Sequence, residues 1–248
     1  MKTRNITLFT AIAAAAAFAP AAQAAAIVIP GDGYTGDFRI ALITSSRTTA
    51  DANNAISFYD GIVTTAATAV TELNDLGTTW TAIGSTIAVD ARDNTGTNPT
   101  ISVGIPIYTT NGVRIADDNA DLWDGTLAQR LYYDIGTPDQ GGWNNHGFYD
   151  STWTGTKTDG TQAGDGTTNP QDGNALSTGP GSGGNNLTLG GSYRADSGWI
   201  DAATGSGDDG RGRHLLGMSG VISGAVPEPS TMGLLALSGL ALLRRRRA

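Results

Sequence analysis

Ala52-Asn53-Asn54-Ala55-Ile56-Ser57-Phe58-Tyr59-Asp60-Gly61-Ile62-Val63-Thr64-Thr65-Ala66-Ala67-Thr68-Ala69-Val70 is the stretch whose reading decides the fold class. Its residues Ala52, Ile56, Tyr59, Val63, Ala66, Ala67 and Val70 are spaced by four, three, four, three, one and three, which lines a single helical face. The polar link before it supplies Asp51 and Asn53 as capping candidates, since a short side-chain oxygen can accept an orphaned helix N–H. Gly77, after Asp75-Leu76, stops the helix region or its following turn. Upstream, Phe38-Arg39-Ile40-Ala41-Leu42-Ile43-Thr44 is dense in apolar residues and bounded by polar turns, and reads as a first strand. A Gly- and Pro-bearing lead-in, Ala25 to Asp37, precedes it.

Downstream, Thr78 to Ser85 reads as a buried strand around Trp80, and Ile87 to Asn94 as a short helix or turn. Ile105-Pro106-Ile107-Tyr108 and Val113-Arg114-Ile115-Ala116 are two strands of a hairpin, with Asn111-Gly112 as a two-residue turn. Residues 136–198 change character: Gly, Thr, Asn and Asp dominate, and the segment reads as long loops pinned by Trp143, Phe148, Tyr149, Trp153 and Tyr193. Trp199-Ile200-Asp201-Ala202 and Leu215 to Ile222 read as closing strands. The economical count is one α+β domain with one main early helix, short antiparallel strands and long Gly/Asp/Thr/Asn-rich loops.

Both ends carry targeting chemistry. Lys2 and Arg4 form a positive n-region, Ile6 to Phe18 an apolar stretch, and Ala22-Gln23-Ala24 a small-x-small cleavage site, so residues 1–24 read as a secretory signal peptide. At the other end, Val226-Pro227-Glu228-Pro229 leads into an apolar run, Met232 to Leu243, and then Arg244, Arg245, Arg246 and Arg247. The prolines keep the segment extended and open to a processing enzyme. Twelve apolar residues fall short of the roughly 20 needed to cross a bilayer unaided. The arginines act as a stop on the cytoplasmic side. This order of motif, hydrophobic helix and basic stop closely resembles the PEP-CTERM sorting signal, with Pro227-Glu228-Pro229 as its tripeptide. The resemblance implies recognition by an exosortase, transient membrane anchoring by residues 226–248, and delivery to the surface or matrix of a Gram-negative, exopolysaccharide-making cell.

Six of the 15 basic residues lie in those two segments, so residues 25–228 hold nine basic against 23 acidic residues, a formal charge of −14. Such a body repels nucleic acid and anionic lipid, which sets nucleic acid aside as a partner. Cysteine is absent, which removes Cys nucleophiles, Cys-ligated zinc and disulfides together. A body of about 200 residues buries enough surface to fold without such staples. Two histidines, His146 and His214, stand in no catalytic or metal-binding motif.

Over residues 38–222 the order of elements resembles an endostatin-like variant of the C-type-lectin fold. The resemblance runs through Trp80-Thr81-Ala82-Ile83-Gly84-Ser85, Pro106-Ile107-Tyr108, Leu122-Trp123-Asp124-Gly125 and Thr152-Trp153-Thr154-Gly155-Thr156-Lys157-Thr158-Asp159-Gly160. It implies one cysteine-free lectin-like domain over residues 25–225. The calcium-binding lectin motifs are absent: Trp143-Asn144-Asn145 and Asp117-Asp118-Asn119 are partial echoes.

The densest acidic cluster, Asp117, Asp118, Asp121 and Asp124, offers hard oxygens that Ca2+ could use, and equally reads as a solvated acidic turn with Asp121 as a cap. Trp143 and Trp123, in polar loops, are candidates to stack on sugar faces, while Trp80, Trp153 and Trp199 read as core. Arg211-Gly212-Arg213-His214 reads as a solvated hairpin tip. No catalytic motif is found. The chain therefore reads as an exported, non-catalytic surface or matrix protein. A carbohydrate-binding module using the 117–160 loops, with extracellular polysaccharide as partner, is the alternative, and a hydrolase the third reading.

Overall fold

The computed structural model describes residues 30–48, 53–131, 151–164, 173–176, 186–206 and 212–224. Its order begins with β1 (Arg39–Ile43), α1 (Ile56–Thr68), the one-turn α2 (Thr71–Asn74) and β2 (Trp80–Ala82). Then come α3 (Ala91–Asn94), β3 (Ile107–Thr109), β4 (Arg114–Ala116), α4 (Asn119–Leu122) and β5 (Ser151–Trp153). β6 (Asn186–Gly191), a 3-10 turn at Ser197–Trp199, β7 (Ala203–Ser206) and β8 (His214–Ser219) complete it. The described chain is thus a mixture of many short strands and few helices around one open sheet.

The strands form the order β4-β3-β1-β8-β5-β6-β7, with β2 in line with β5 against β8. The first and last strands are central neighbours: Ala41, Leu42 and Ile43 pair antiparallel with Met218, Gly217 and Leu216. Two pairings are parallel, β1 with β3 and β5 with β8, where the sequence reading expects antiparallel strands alone.

Both faces of the sheet are covered, which explains why β1 is a continuous apolar run and not an alternating one. Phe38, Ile40 and Leu42 point into one core with Tyr59, Val63 and Ala67 of α1, while Ala41 and Ile43 point into a second with Ile107, Ile115, Trp123, Trp199 and Met218. The helical face read from the sequence is the buried one. Tyr59, Val63 and Ala67 are fully buried, Ile56 and Val70 partly. Ala52 and Asp51 lie outside the described residues, and Asn53 turns the chain into the helix by accepting the Ala55 N–H at 3.0 Å. The helix approaches β8 closely because Gly217 has no side chain: a Cβ there would stand 2.4 Å from Val63 Cγ1.

Helix α1 also closes the outer edge of β2. Thr64 Oγ1 donates to the Trp80 carbonyl at 3.0 Å, and one turn earlier Asp60 Oδ1 accepts the Ala82 N–H at 2.7 Å. Asn94 Nδ2 donates to both Asp60 Oδ1, at 2.9 Å, and the Ala82 carbonyl, at 3.0 Å. An unpaired strand edge is a template for association, and here side chains occupy it.

Three local expectations change. The hairpin loop holds three residues, not two: Thr109 N–H bonds to the Val113 carbonyl, and Gly112 takes the positive-φ position at +81°. That is the three-residue alternative, with glycine at the left-handed corner. Residues 199–202 are not a strand. Asp196 accepts the Gly198 N–H at 3.1 Å and caps the Ser197–Trp199 turn, so β7 starts only at Ala203. The 136–198 segment is not loop alone, because β5 and β6 sit in it. Leu187, Leu189 and Trp153 face the α1 core, while the buried Thr152, Thr154 and Thr188 face the other side. Threonine suits a pleated surface, and its hydroxyl lowers apparent hydrophobicity without preventing burial.

Candidate functional site

The acidic stretch after β4 is a self-contained turn. Asp118 caps α4, its Oδ1 accepting the Asp121 N–H at 2.9 Å, and Asp121 Oδ2 reaches back to the Asp117 N–H at 2.7 Å. Asp117 pairs with Arg114 Nη1 at 3.0 Å. Asp124 Oδ1 accepts both the N–H and the hydroxyl of Thr126, at 2.8 and 2.9 Å. The four carboxylates thus point at separate local donors and do not converge. Among the described residues no group of three or more His, Cys, Asp or Glu side chains is placed to hold a metal ion, and Asp117, Asp118, Asp121 and Asp124 do not form such a group. The acidic-turn reading holds, with Asp118 and not Asp121 as the cap.

Trp123 is buried, where the sequence reading expects it in an open polar loop. It is 6% exposed, its Nε1–H donates to the carbonyl and hydroxyl of Thr97 at 3.1 and 3.0 Å, and its ring lies 5.7 Å from that of Trp199. Leu122 and Trp123, at the end of the four-residue α4, both turn into the second core. Trp143 lies outside the described residues. Trp80, Trp153 and Trp199 are buried as expected.

Over Trp123 sits the turn at 157–161. A Cβ on Gly160 would stand 2.8 Å from the indole and 2.9 Å from Arg92 Cβ, and one on Gly125 would stand 3.0 Å from Thr158 Cγ2. The structure therefore brings the 123–126 and 157–161 turns side by side. Burial would raise the Asp159 carboxyl, but the Thr161 hydroxyl and N–H, with Arg92 and Lys157 nearby, outweigh it and hold the carboxyl below its ordinary value. Burial pushes Asp201 upward, and Lys157 pulls it only part of the way back.

A second polar cluster escapes the sequence. Arg114 Nη2 meets Asp32 Oδ2 at 2.6 Å, and its guanidinium lies 5.4 Å from the Tyr34 ring and 5.3 Å from that of Tyr108. The Tyr108 hydroxyl donates to both Asp32 oxygens. Burial and then this carboxylate push the Tyr108 phenol up to about 12. Asp32 is pulled upward by desolvation, but bonds from the Tyr34 N–H, Tyr108 and Arg114 win and hold it below the usual carboxylate range. The cluster fastens the lead-in onto the β3–β4 hairpin. The only sequence signal is the Gly31-Asp32-Gly33 turn, which says nothing about its partner 82 positions away.

Arg213 and His214 of the basic run are no solvated tip, and Arg211 lies outside the described residues. Arg213 is 3% exposed and its guanidinium stacks 4.9 Å from the Trp153 ring centre. His214 donates Nδ1–H to the Thr44 carbonyl and accepts from Arg47 Nε at 3.2 Å, so both ring nitrogens serve the strand ends.

The described chain leaves the fold beside its entry. Phe38 N–H bonds to the Ile222 carbonyl at 3.0 Å and Ile222 N–H to the Phe38 carbonyl at 2.9 Å, and the last described residue is Gly224. Residues 225–247 match the family model of a PEP-CTERM protein-sorting motif. The chain carries that sorting motif. It contains Val226, Pro227, Glu228, Pro229 and the four arginines Arg244, Arg245, Arg246 and Arg247, all outside the described residues. A PEP-CTERM motif implies an exported surface protein, held at the membrane by its tail until an exosortase processes it. Ala22 and Ala24, where the sequence reading expects signal-peptide cleavage, also lie outside the described residues. Among the described residues no helix is long and apolar enough to cross a membrane. A search of curated proteins finds no match to the chain.

Proposed function

We propose that the protein is a non-catalytic component of the cell surface or exopolysaccharide matrix of a Gram-negative bacterium, with function set largely by where its tail delivers it. The single observation that carries this reading is the PEP-CTERM motif at residues 225–247. In this reading residues 1–24 are the signal peptide, 25–225 the surface domain and 226–248 the sorting tail, with exosortase as the processing partner. The absence of cysteine and the acidic body suit an exported domain that depends on packing and charge for solubility. The test is deletion of residues 226–248. Release of the protein to the medium is expected, and an unchanged location refutes the reading.

The surface domain is, in this proposal, an endostatin-like variant of the C-type-lectin fold. Central pairing of the first and last strands, with one long helix packed on them, supports it. A carbohydrate-binding role through the 117–160 loops is the second reading. It is favoured by the adjacency of the 123–126 and 157–161 turns, which gathers Asp124, Thr126, Thr158 and Asp159 at one rim. A melt of the protein with exopolysaccharide from the producing cells tests it, because a ligand that binds only the folded state raises the midpoint by mass action. A rise that Trp143→Ala abolishes favours the binding module, and no rise favours the structural role.

A further inference from the structure

The closeness of the sorting motif to the last paired residue constrains what must touch the folded body. Ile222 is 5% exposed and locked to Phe38 by two backbone hydrogen bonds, so the fold holds the chain up to that residue. Pro227 follows five residues later. Five residues span at most about 17 Å even when fully extended, whatever conformation they take. A domain of about 200 residues has a radius of gyration near 16 Å and hence a physical radius of about 20 Å. A cleft that takes Pro227-Glu228-Pro229 cannot do so at arm's length. Its rim therefore works within about 17 Å of the face from which the chain emerges.

That face has a definite composition. Val221 is 50% exposed, one residue before the clasp, in a strip where Gly220 N–H bonds to the Thr79 carbonyl at 2.7 Å. Thr79 is exposed on one side of this strip, and Asp37 is exposed next to Phe38 on the other. The same tether holds the body close to the bilayer before processing. Met232, where the apolar run starts, lies ten residues beyond Ile222, a reach of at most about 35 Å.

We propose that this exit face, centred on Val221 and flanked by Thr79 and Asp37, is the surface on which the membrane-embedded processing enzyme docks. The partner is the extracytoplasmic rim of that enzyme. The proposal rests on the PEP-CTERM reading of the tail. It predicts that processing reads the folded body as well as the motif, because motif and exit face are presented together.

The experiment measures conversion of the tail-bearing precursor to the shortened form by pulse–chase in the producing cells. Val221→Asp places a charge on the half-exposed side chain and should slow conversion at least fivefold, and Thr79→Lys should slow it in the same direction. Inserting ten Gly-Ser residues between Gly224 and Ala225 lets the motif reach the cleft without the face, and in that chain Val221→Asp should convert at the rate of its own parent. Conversion of both point variants at the wild-type rate in the unlengthened chain overturns the docking surface. So does an equal slowing in the lengthened chain, which would trace the defect to folding. A control separates the two readings: replacing Pro227 and Pro229 by Ala should leave the precursor unprocessed. If that chain is processed anyway, the sorting reading fails and the docking surface fails with it.

Discussion

Replacing Asp60 by Ala removes the side chain that joins α1 to the edge of β2, and the structure sets the size of the loss. Asp60 Oδ1 accepts two hydrogen bonds, from the Ala82 N–H at 2.7 Å and from Asn94 Nδ2 at 2.9 Å. The Asn94 amide retains its bond to the Ala82 carbonyl, so it is weakened and not orphaned. The Ala82 N–H points away from β8, because Ile83 and its odd-numbered neighbours make the bonds to that strand. Its residue is 1% exposed. An orphaned buried donor costs about 1–3 kcal/mol, and bonds to a charged acceptor sit in the upper half of the usual range. Asp60 is itself half-buried, so some water reaches the site and the expected loss is about 2 kcal/mol. For a domain of this size that corresponds to a fall of roughly 4–8 °C in melting midpoint. Urea denaturation and thermal melting followed by far-UV circular dichroism would measure it. Thr64→Val, which removes only the bond to the Trp80 carbonyl, should cost about 1 kcal/mol. Since both side chains hold one edge, each single loss includes their coupling and the double variant should lose less than the sum of the two. An Asp60→Ala protein within about 0.5 kcal/mol of wild type, the range of ordinary surface substitutions, would falsify the idea that α1 seals this edge.

Other consequences of the packing are as direct. Gly217→Ala drives a methyl group against Val63 and should destabilise the protein by about 1–3 kcal/mol, and adding Val63→Ala should restore part of that loss, as a double-mutant denaturation cycle can show. Trp123→Phe breaks the bonds to Thr97 and should cost about 1–2 kcal/mol while leaving any glycan affinity unchanged; a selective loss of affinity would contradict the burial of this ring. Asp201 titrates higher in the folded than in the unfolded chain, so folded stability falls as pH rises from the unfolded value near 3.9 through the folded one. Asp201 stays partly open to water, so the effect is small: Asp201→Asn should be slightly more stable than wild type at pH 7 and equal to it below about pH 3.5, and urea midpoints that keep the same order at both pH values would count against the desolvated-carboxyl account.

The elements read correctly from sequence are those whose signal is local. Helix α1 announces itself because Tyr59, Val63 and Ala67 must share one face to be buried at all. Strands β1 and β8 announce themselves as apolar runs because each is covered on both sides. β5 and β6 fail that test. Their inward positions include Thr152, Thr154, Thr188 and Gly190, and a buried threonine beside a glycine looks like loop composition until the opposing layer is seen. Trp123 shows the same limit for the candidate site. Its polar neighbours Asp121 and Asp124 suggest exposure, yet the side chain that takes its N–H is Thr97, on a separate turn.

Sequence by itself determined the address and the early half of the fold. Sorting motif and amphipathic helix are read by partners or by water one segment at a time, so their meaning is complete within about twenty consecutive residues. Tertiary structure alone decided the rest: that the first and last strands are neighbours, that the acidic carboxylates take separate local donors instead of converging, and that Arg114 holds the lead-in through Asp32. Each of these joins residues through space, and a short side chain such as aspartate carries no record of which of its possible donors will lie within 3 Å once the chain has closed.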